Sequence, residues 1–158
     1  MEQVARAAGV GKGTVFHRFG DRAGLAVALL DDGERTLQDA VLGGPPPLGP
    51  GAPARERLVA FVEALADFTM DNAELLITAD YRRTGGRYAV GAYAAWHRHV
   101  TSLLDETTPP HVEAGLLAHH LLAALAPDLL RHLREREGVG RRRLRGSLGE
   151  LAARLADA

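Results

Sequence analysis

A run of glycine and proline at residues 43–54, GGPPPLGPGAPA, divides this chain of 158 residues. Nine of its twelve residues are Gly or Pro, a composition that suits neither a helix nor a strand. We interpret it as an extended, mobile linker; the alternative is a surface loop without functional consequence. On both sides apolar residues recur at helical spacing, and no segment alternates as a strand does. The sequence therefore predicts an all-α protein with a small head (residues 1–42) and a larger helical body (residues 55–158).

The composition limits the classes of function. The formal net charge is −1, so binding to nucleic acid would need a local basic patch. The chain has no cysteine, which excludes disulfides and thiolate zinc sites. The apolar run at residues 23–30 is too short to span a membrane, and the first residues lack the apolar stretch of a signal peptide. We therefore expect a cytoplasmic protein without a membrane partner.

The spacing of apolar residues in the body is that of α-helices. Apolar spacing predicts helices at residues 58–69, 72–84, 87–106 and 111–137. Pro127 is expected to kink or split the last of these, because proline removes a hydrogen bond from a helix interior. A final helix over residues 141–156 has four leucines at spacings of 4, 3 and 4: Leu144, Leu148, Leu151 and Leu155.

A basic cluster opens this final helix, with Arg141, Arg142, Arg143 and Arg145. It could contact nucleic acid. A solvated face, partly paired with Glu135 and Glu137, is the preferred interpretation.

The head has the pattern of a helix-turn-helix. A short helix over residues 2–8 is expected to end at Gly9, and a second one covers residues 12–19. Asp21 then caps a connecting helix over residues 22–42. We expect the small Ala8 to let the first two helices approach, and Val10 to fill the space between them.

The second helix has one apolar side and one polar side. Val15 and Phe19 lie four residues apart and share a face toward the protein. The potential donors to phosphates and base edges are Lys12, Thr14, His17 and Arg18. Residues 1–30 contain four Lys or Arg against two Asp or Glu, so the head is basic on a nearly neutral chain. This pattern favours insertion of the second helix into the DNA major groove.

The segment VARAAGVGKGTVFHRFGDRAGL resembles the DNA-binding signature of TetR-family transcriptional regulators. The resemblance covers about 22 residues, and the rest of the chain is similar only in its helical architecture. It implies a homodimeric repressor that binds a palindromic double-stranded operator and releases it when a small-molecule effector enters the body. It also implies dimerisation through residues 111–137 and 141–156. A helical ligand-binding or dimerisation protein without DNA-binding activity is the alternative.

The resemblance also assigns residues to the DNA contact. The recognition helix would present Lys12, Gly13, Thr14, Val15, Phe16, His17 and Arg18, and Arg22 would hold a phosphate. Phe16 stands where the family has a tyrosine and Gly11 where it has a serine, so one phosphate contact and one helix cap are lost. The family also carries a helix before this unit. We therefore expect the natural start to lie upstream of Met1, with a naturally head-truncated form as the alternative.

Aromatic residues concentrate in the middle of the body, where a ligand pocket or an ordinary helical core is expected. The candidate ligand-binding residues are Phe61, Leu65, Phe68, Tyr81, Tyr93, Trp96, His97 and His120. The histidines fall on different helix faces, so no metal site is expected. No catalytic motif or phosphate loop appears. We therefore expect neither a cofactor nor an enzyme.

Overall fold

A computed structural model describes residues 1–80, 88 and 91–158 of the chain. These residues form an all-α fold with a helix-turn-helix at its start, which confirms the predicted fold class. None of the helices in these ranges is both long enough and apolar enough to cross a bilayer. The helices are α1 (Glu2–Ala7), α2 (Lys12–Phe19), α3 (Arg22–Gly43), α4 (Ala54–Asp71), α5 (Ala73–Asp80), α6 (Gly91–Asp105), α7 (Ala114–Ala124), α8 (Pro127–Glu135) and α9 (Arg141–Ala156).

Local chemistry explains the first helix boundaries. Gly9 follows α1 with a φ of 65°, a left-handed conformation that glycine adopts without a side-chain clash. Asp21 caps α3: its carboxylate accepts a hydrogen bond from the Gly24 amide at 2.9 Å, which satisfies one of the free donors of the first turn.

The apolar segment at residues 111–137 is split rather than continuous. Helix α7 ends at Ala124, and Pro127 is the first residue of α8. Proline is favoured there because its missing amide has no partner to lose at the first helical position. The sequence predicted either a kink or a split at Pro127, and the structure shows a split.

The glycine–proline run differs from the extended linker expected from its composition. The amide of Gly49 donates to the carbonyl of Pro45 at 3.0 Å, and Leu48 packs against the main core. A Cβ at Gly49 would lie 1.9 Å from the Gly44 carbonyl oxygen, so the backbone closes on itself where only glycine fits. The run is a compact loop because glycine permits that approach and Leu48 gains apolar cover. The division into head and body domains stays a prediction.

Helix α4 lies at the centre of the body. Its Leu58, Phe61 and Val62 are fully buried and belong to one core with apolar residues of α3, α6, α7, α8 and α9. A smaller cluster joins α3 to α5 through Ala26, Leu30 and Ala79. Helix α3 therefore continues from the head into contact with the body.

Ion pairs join α9 to α4. Arg141 donates to Asp67 at 2.8 Å and to Asp71 at 2.9 Å, and Arg145 donates to Glu63 at 2.6 Å. The expected pairing of these arginines with Glu135 and Glu137 is therefore wrong. Because α9 packs along α4, two arginines four residues apart meet acids that recur every four residues on the neighbouring helix.

Candidate nucleic-acid interface and ligand cavity

In the head, α1 and α2 meet over a small contact. Ala5 of α1 and Val15 of α2 are 3% and 4% exposed, and the Val10 amide donates to the Ala5 carbonyl at 3.0 Å. Ala8 is exposed and Val10 is 44% exposed, so the sequence-based assignment of these two side chains to the helix contact is wrong. Ala5, one turn before Ala8, is the small residue that is buried here.

The outer side of α2 presents most of the residues expected to contact DNA. The exposed members of that set are Lys12, Gly13, Thr14, Phe16, His17 and Arg18. Val15 differs, because its burial turns it toward the protein rather than toward a partner. Phe19 is half-buried, and the Arg18 guanidinium carbon lies 5.8 Å from the centre of its ring. One side of α2 is therefore apolar and faces the protein, and the other side carries hydrogen-bond donors.

The ends of α2 and α3 add to the positive character of this surface. Gly11 precedes α2 and has no side chain to cap it, so first-turn amides remain open to an anion. Arg22 is exposed at the start of α3. Lys12 and Arg22 at the starts of α2 and α3, with Arg18 in the last turn of α2, thus provide three exposed cations, an arrangement suited to phosphates.

A cavity lies in the body beside α3. Its volume is about 100 Å³. The walls are mainly apolar and include three aromatic rings, from α4 and α6, and two carboxylates on α3. The residues that line it are Val27, Leu30, Asp31, Glu34, Leu65, Phe68, Thr69, Leu76, Ala79, Ala92, Tyr93, Trp96, Leu122, Leu125 and Pro127.

Four of the predicted ligand-binding residues meet at this cavity: Leu65, Phe68, Tyr93 and Trp96. Phe61 instead lies in the core, with its ring centre 5.6 Å from that of Trp96. His97 donates from Nε2 to the Gly115 carbonyl at 2.9 Å, and His120 is exposed on α7, so neither lines the cavity. Tyr81 falls outside the described residues.

The contribution of α3 to the cavity was not predicted from the sequence. Val27, Leu30, Asp31 and Glu34 line one wall, and their spacing of i, i+3, i+4 and i+7 is that of a single helix face. That spacing is a usable signal. The spacing did not stand out because Asp31 and Glu34 are acidic and interrupt the apolar periodicity of the helix.

A ring cluster extends from the cavity wall to α7. The Tyr93 hydroxyl lies 2.7 Å from Nδ1 of His119, and the ring centres of His97 and His119 are 3.9 Å apart. In the described part of the chain, no three His, Asp or Glu side chains come together as metal ligands. We interpret the cluster as a polar contact that fixes Tyr93 between α6 and α7.

Comparison with known proteins supports the resemblance of the head to TetR-family regulators. Residues 1–29 match the family model for bacterial regulatory proteins of the tetR family. Over 69 residues the chain is 43% identical to the HTH-type transcriptional regulator BetI of Cronobacter sakazakii (strain ATCC BAA-894). This match spans 44% of the chain and about a third, 34%, of the relative's length. No solved structure gives a significant match.

Proposed function

We propose that the chain is a DNA-binding transcriptional regulator, since residues 1–29 match the family model for bacterial regulatory proteins of the tetR family. The observation that carries the proposal is the two-sided α2: Val15 is buried, while Lys12, Thr14 and Arg18 are exposed. A helix with this division can pack on its protein and offer donors to a major groove. The compartment we propose is the one that holds the bacterial chromosome, the cytoplasm.

In the proposed complex, α2 is the recognition helix. Thr14, His17 and Arg18 face base edges, since hydroxyl, imidazole and guanidinium groups offer the donors that the major groove reads. Lys12 and Arg22 neutralise phosphates and fix the register of the head. Gly13 leaves room for close approach of the backbone, and Phe16 adds an apolar contact.

We propose that two copies bind a palindromic operator, with recognition helices about one DNA turn, ~34–36 Å, apart. The interface is assigned to residues 111–137 and 141–156. Exposed leucines on three helices support this assignment: Leu116 of α7, Leu129 of α8 and Leu151 of α9 are 50%, 41% and 37% exposed. Pairing would remove these apolar side chains from water.

The cavity is the proposed effector site, and repression with release is the proposed response. Helix α3 supports both ideas because it starts beside α2 and then forms a cavity wall through residues such as Leu30 and Glu34. A small molecule that binds one position of α3 better than another shifts the population of head positions. The operator is released when the favoured position no longer matches the spacing of the two half-sites.

Fluorescence anisotropy on DNA from immediately upstream of the gene tests DNA binding, with a scrambled duplex and a salt series. We expect specific binding that weakens steeply with salt. Lys12→Ala and Arg18→Ala should each weaken it about tenfold or more. Arg35→Ala is the matched arginine control, because Arg35 is exposed on α3, outside the recognition helix and the proposed dimer interface. Unchanged affinity in both head variants would overturn the assignment of α2. No binding to either duplex would favour the ligand-binding alternative, and equal binding to both would contradict specific recognition of an operator.

Light scattering tests the dimer. Leu129→Glu should shift the mass toward a monomer, because a buried charge without a partner opposes association. Leu42→Glu is the control, since Leu42 is 67% exposed on α3, away from the proposed interface. A dimer that persists in Leu129→Glu and in Leu151→Glu would place the interface elsewhere.

A further inference from the structure

One large apolar side chain on the proposed recognition helix faces outward. The structure describes every residue of α2, and of its three large apolar side chains Val15 is buried, Phe19 is half-buried and Phe16 is 44% exposed. An exposed ring leaves apolar surface in water, which is unfavourable until a partner covers it. The ring of Phe16 therefore gains most from a partner that offers an apolar group of its own.

The ring of Phe16 lies toward the start of α2. Side chains on an α-helix lean toward its N-terminus and cover the turn before their own Cα, which for Phe16 is the turn that contains Gly13. Gly13 has no side chain, and a Cβ added there would meet nothing within 4 Å. The surface beside the ring is therefore open, and this N-terminal part of a recognition helix is the part that contacts base edges.

Resting on the proposed role of α2 as the recognition helix, we propose that Phe16 contacts the C5-methyl group of a thymine and makes the chain select that base. A phenyl ring has no hydrogen-bond donor or acceptor with which to read the polar edges of adenine, guanine or cytosine. Thymine differs from these bases because it presents a methyl group in the major groove. Contact with that methyl group removes apolar surface of both partners from water.

The chemistry of Phe16 separates its contribution from those of the cations around it. Lys12 and Arg18 carry charges that suit phosphates and polar base edges, and the phosphate contacts weaken as salt is added. The contact of Phe16 with a methyl group is uncharged, so its contribution to affinity should hardly change over the same salt series. The preference for thymine and the general affinity for DNA can therefore be measured separately.

Uracil in place of thymine tests the contact, because the two bases differ only in the C5-methyl group. The probe is the duplex from immediately upstream of the gene, prepared once with thymine and once with uracil at every thymine position. We expect the uracil duplex to bind about fourfold more weakly for each contacted methyl group. Specific binding with equal affinity for the two duplexes would overturn the proposal. A ratio of the two affinities that changes with salt would also overturn it, since uracil would then be altering phosphate contacts.

Substitution of Phe16 tests whether this ring is the group that reads the methyl. Phe16→Ala should bind the thymine duplex about as weakly as the unchanged chain binds the uracil duplex, and should lose the preference between the two. Val10→Ala is the matched control: Val10 is also 44% exposed, but it lies in the turn before α2, so this variant should keep the preference. A preference that persists in Phe16→Ala would mean that another residue reads the methyl, and would overturn the assignment.

The same measurements separate the thymine contact from the proposed regulator. No binding to either duplex would contradict the DNA-binding regulator and the thymine contact together. Binding to the thymine duplex in preference to the scrambled one, with no loss on uracil substitution, would uphold the regulator and overturn the thymine contact alone.

Discussion

The head and the body of this molecule use apolar side chains in different ways. In α4, Phe61 is fully buried and belongs to a core that reaches five other helices. In α1 and α2, the buried residues are Ala5 and Val15, while Phe16 is 44% exposed. The body therefore gains its stability from burial, whereas the head holds its shape with few contacts and leaves its remaining side chains facing outward.

Because of this difference, removing a side chain has a different effect in each region. A residue removed from the body changes the free energy of unfolding. A residue removed from the outer side of the head changes a binding surface and leaves the fold nearly as it was. Matched pairs of substitutions in the two regions measure this difference.

The largest contrast is between two phenylalanines. Phe61→Ala should lower the free energy of unfolding by about 3–5 kcal/mol, because it leaves a cavity in a closed core. Phe16→Ala should stay within about 0.5 kcal/mol, as exposed substitutions usually do. Urea unfolding followed by circular dichroism measures both. Similar losses in the two variants would mean that Phe16 is covered in solution and that the head is not an open surface.

The contrast also separates what the sequence could predict from what it could not. The head motif is local: glycine, cap and donor positions lie within one short segment. The exposure of Lys12, Thr14 and Arg18 on α2 agrees with the usual preference of polar and charged side chains for water. The bounds of α9, residues 141–156, likewise follow from a glycine before the helix and the leucine spacing within it.

Features that depend on partners distant in sequence could not be predicted. The spacing of apolar residues identifies the side of α3 that holds Leu30 and Glu34, but not the aromatic rings of α4 and α6 that line the same cavity. Arg141 was expected to pair with nearby glutamates, yet its partners Asp67 and Asp71 lie some seventy residues away in sequence, at separations of 74 and 70. Burial of Val15 and exposure of Val10 are decided by how α1 and α2 dock.

Within the head, two valines give the next contrast. Val15→Ala should destabilise the head by about 1–2 kcal/mol, the value of the buried methyl groups that it loses. Val10→Ala is the control, because Val10 is already 44% exposed. Hydrogen exchange should show faster exchange in α1 and α2 while the amides of α4 keep their protection, since a small contact supports only local structure. Equal deprotection of α4 would show that head and body unfold as one unit.

His99 gives the body a dependence on pH. Burial, and to a lesser degree the nearby charge of Arg57, lowers its pKa from 6.5 to about 4, and its ring packs edge-on against Phe61 with centres 4.9 Å apart. The unfolded chain takes up a proton below pH 6.5 that the folded chain refuses until about pH 4. The contribution of His99 to stability is therefore complete above pH 6.5 and falls as the pH drops toward 4.

The expected loss at pH 5 is about 1 kcal/mol after allowance for solvent screening of a half-buried group. It should appear as a Tm about 2–4 °C lower than at pH 7. His99→Gln should reduce this difference, and His111→Gln, at an exposed position, should retain it. A pH dependence that is the same in both variants would assign it to other groups.

The smallest expected effect lies on the surface between α4 and α9. Arg141 forks onto Asp71 and also reaches Asp67, and its hydrogen bonds lower the pKa of Asp71 below the ordinary 3.8. All three side chains remain 31–56% exposed, so Arg141→Met should cost no more than about 1 kcal/mol. Arg142→Met is the control on the same helix.

The difference in stability between the Arg141→Met and Arg142→Met variants should disappear in 1 M NaCl, where screening acts over about 3 Å. A loss that persists in salt would mean that Arg141 supports α9 by packing its stem on α4 rather than by charge.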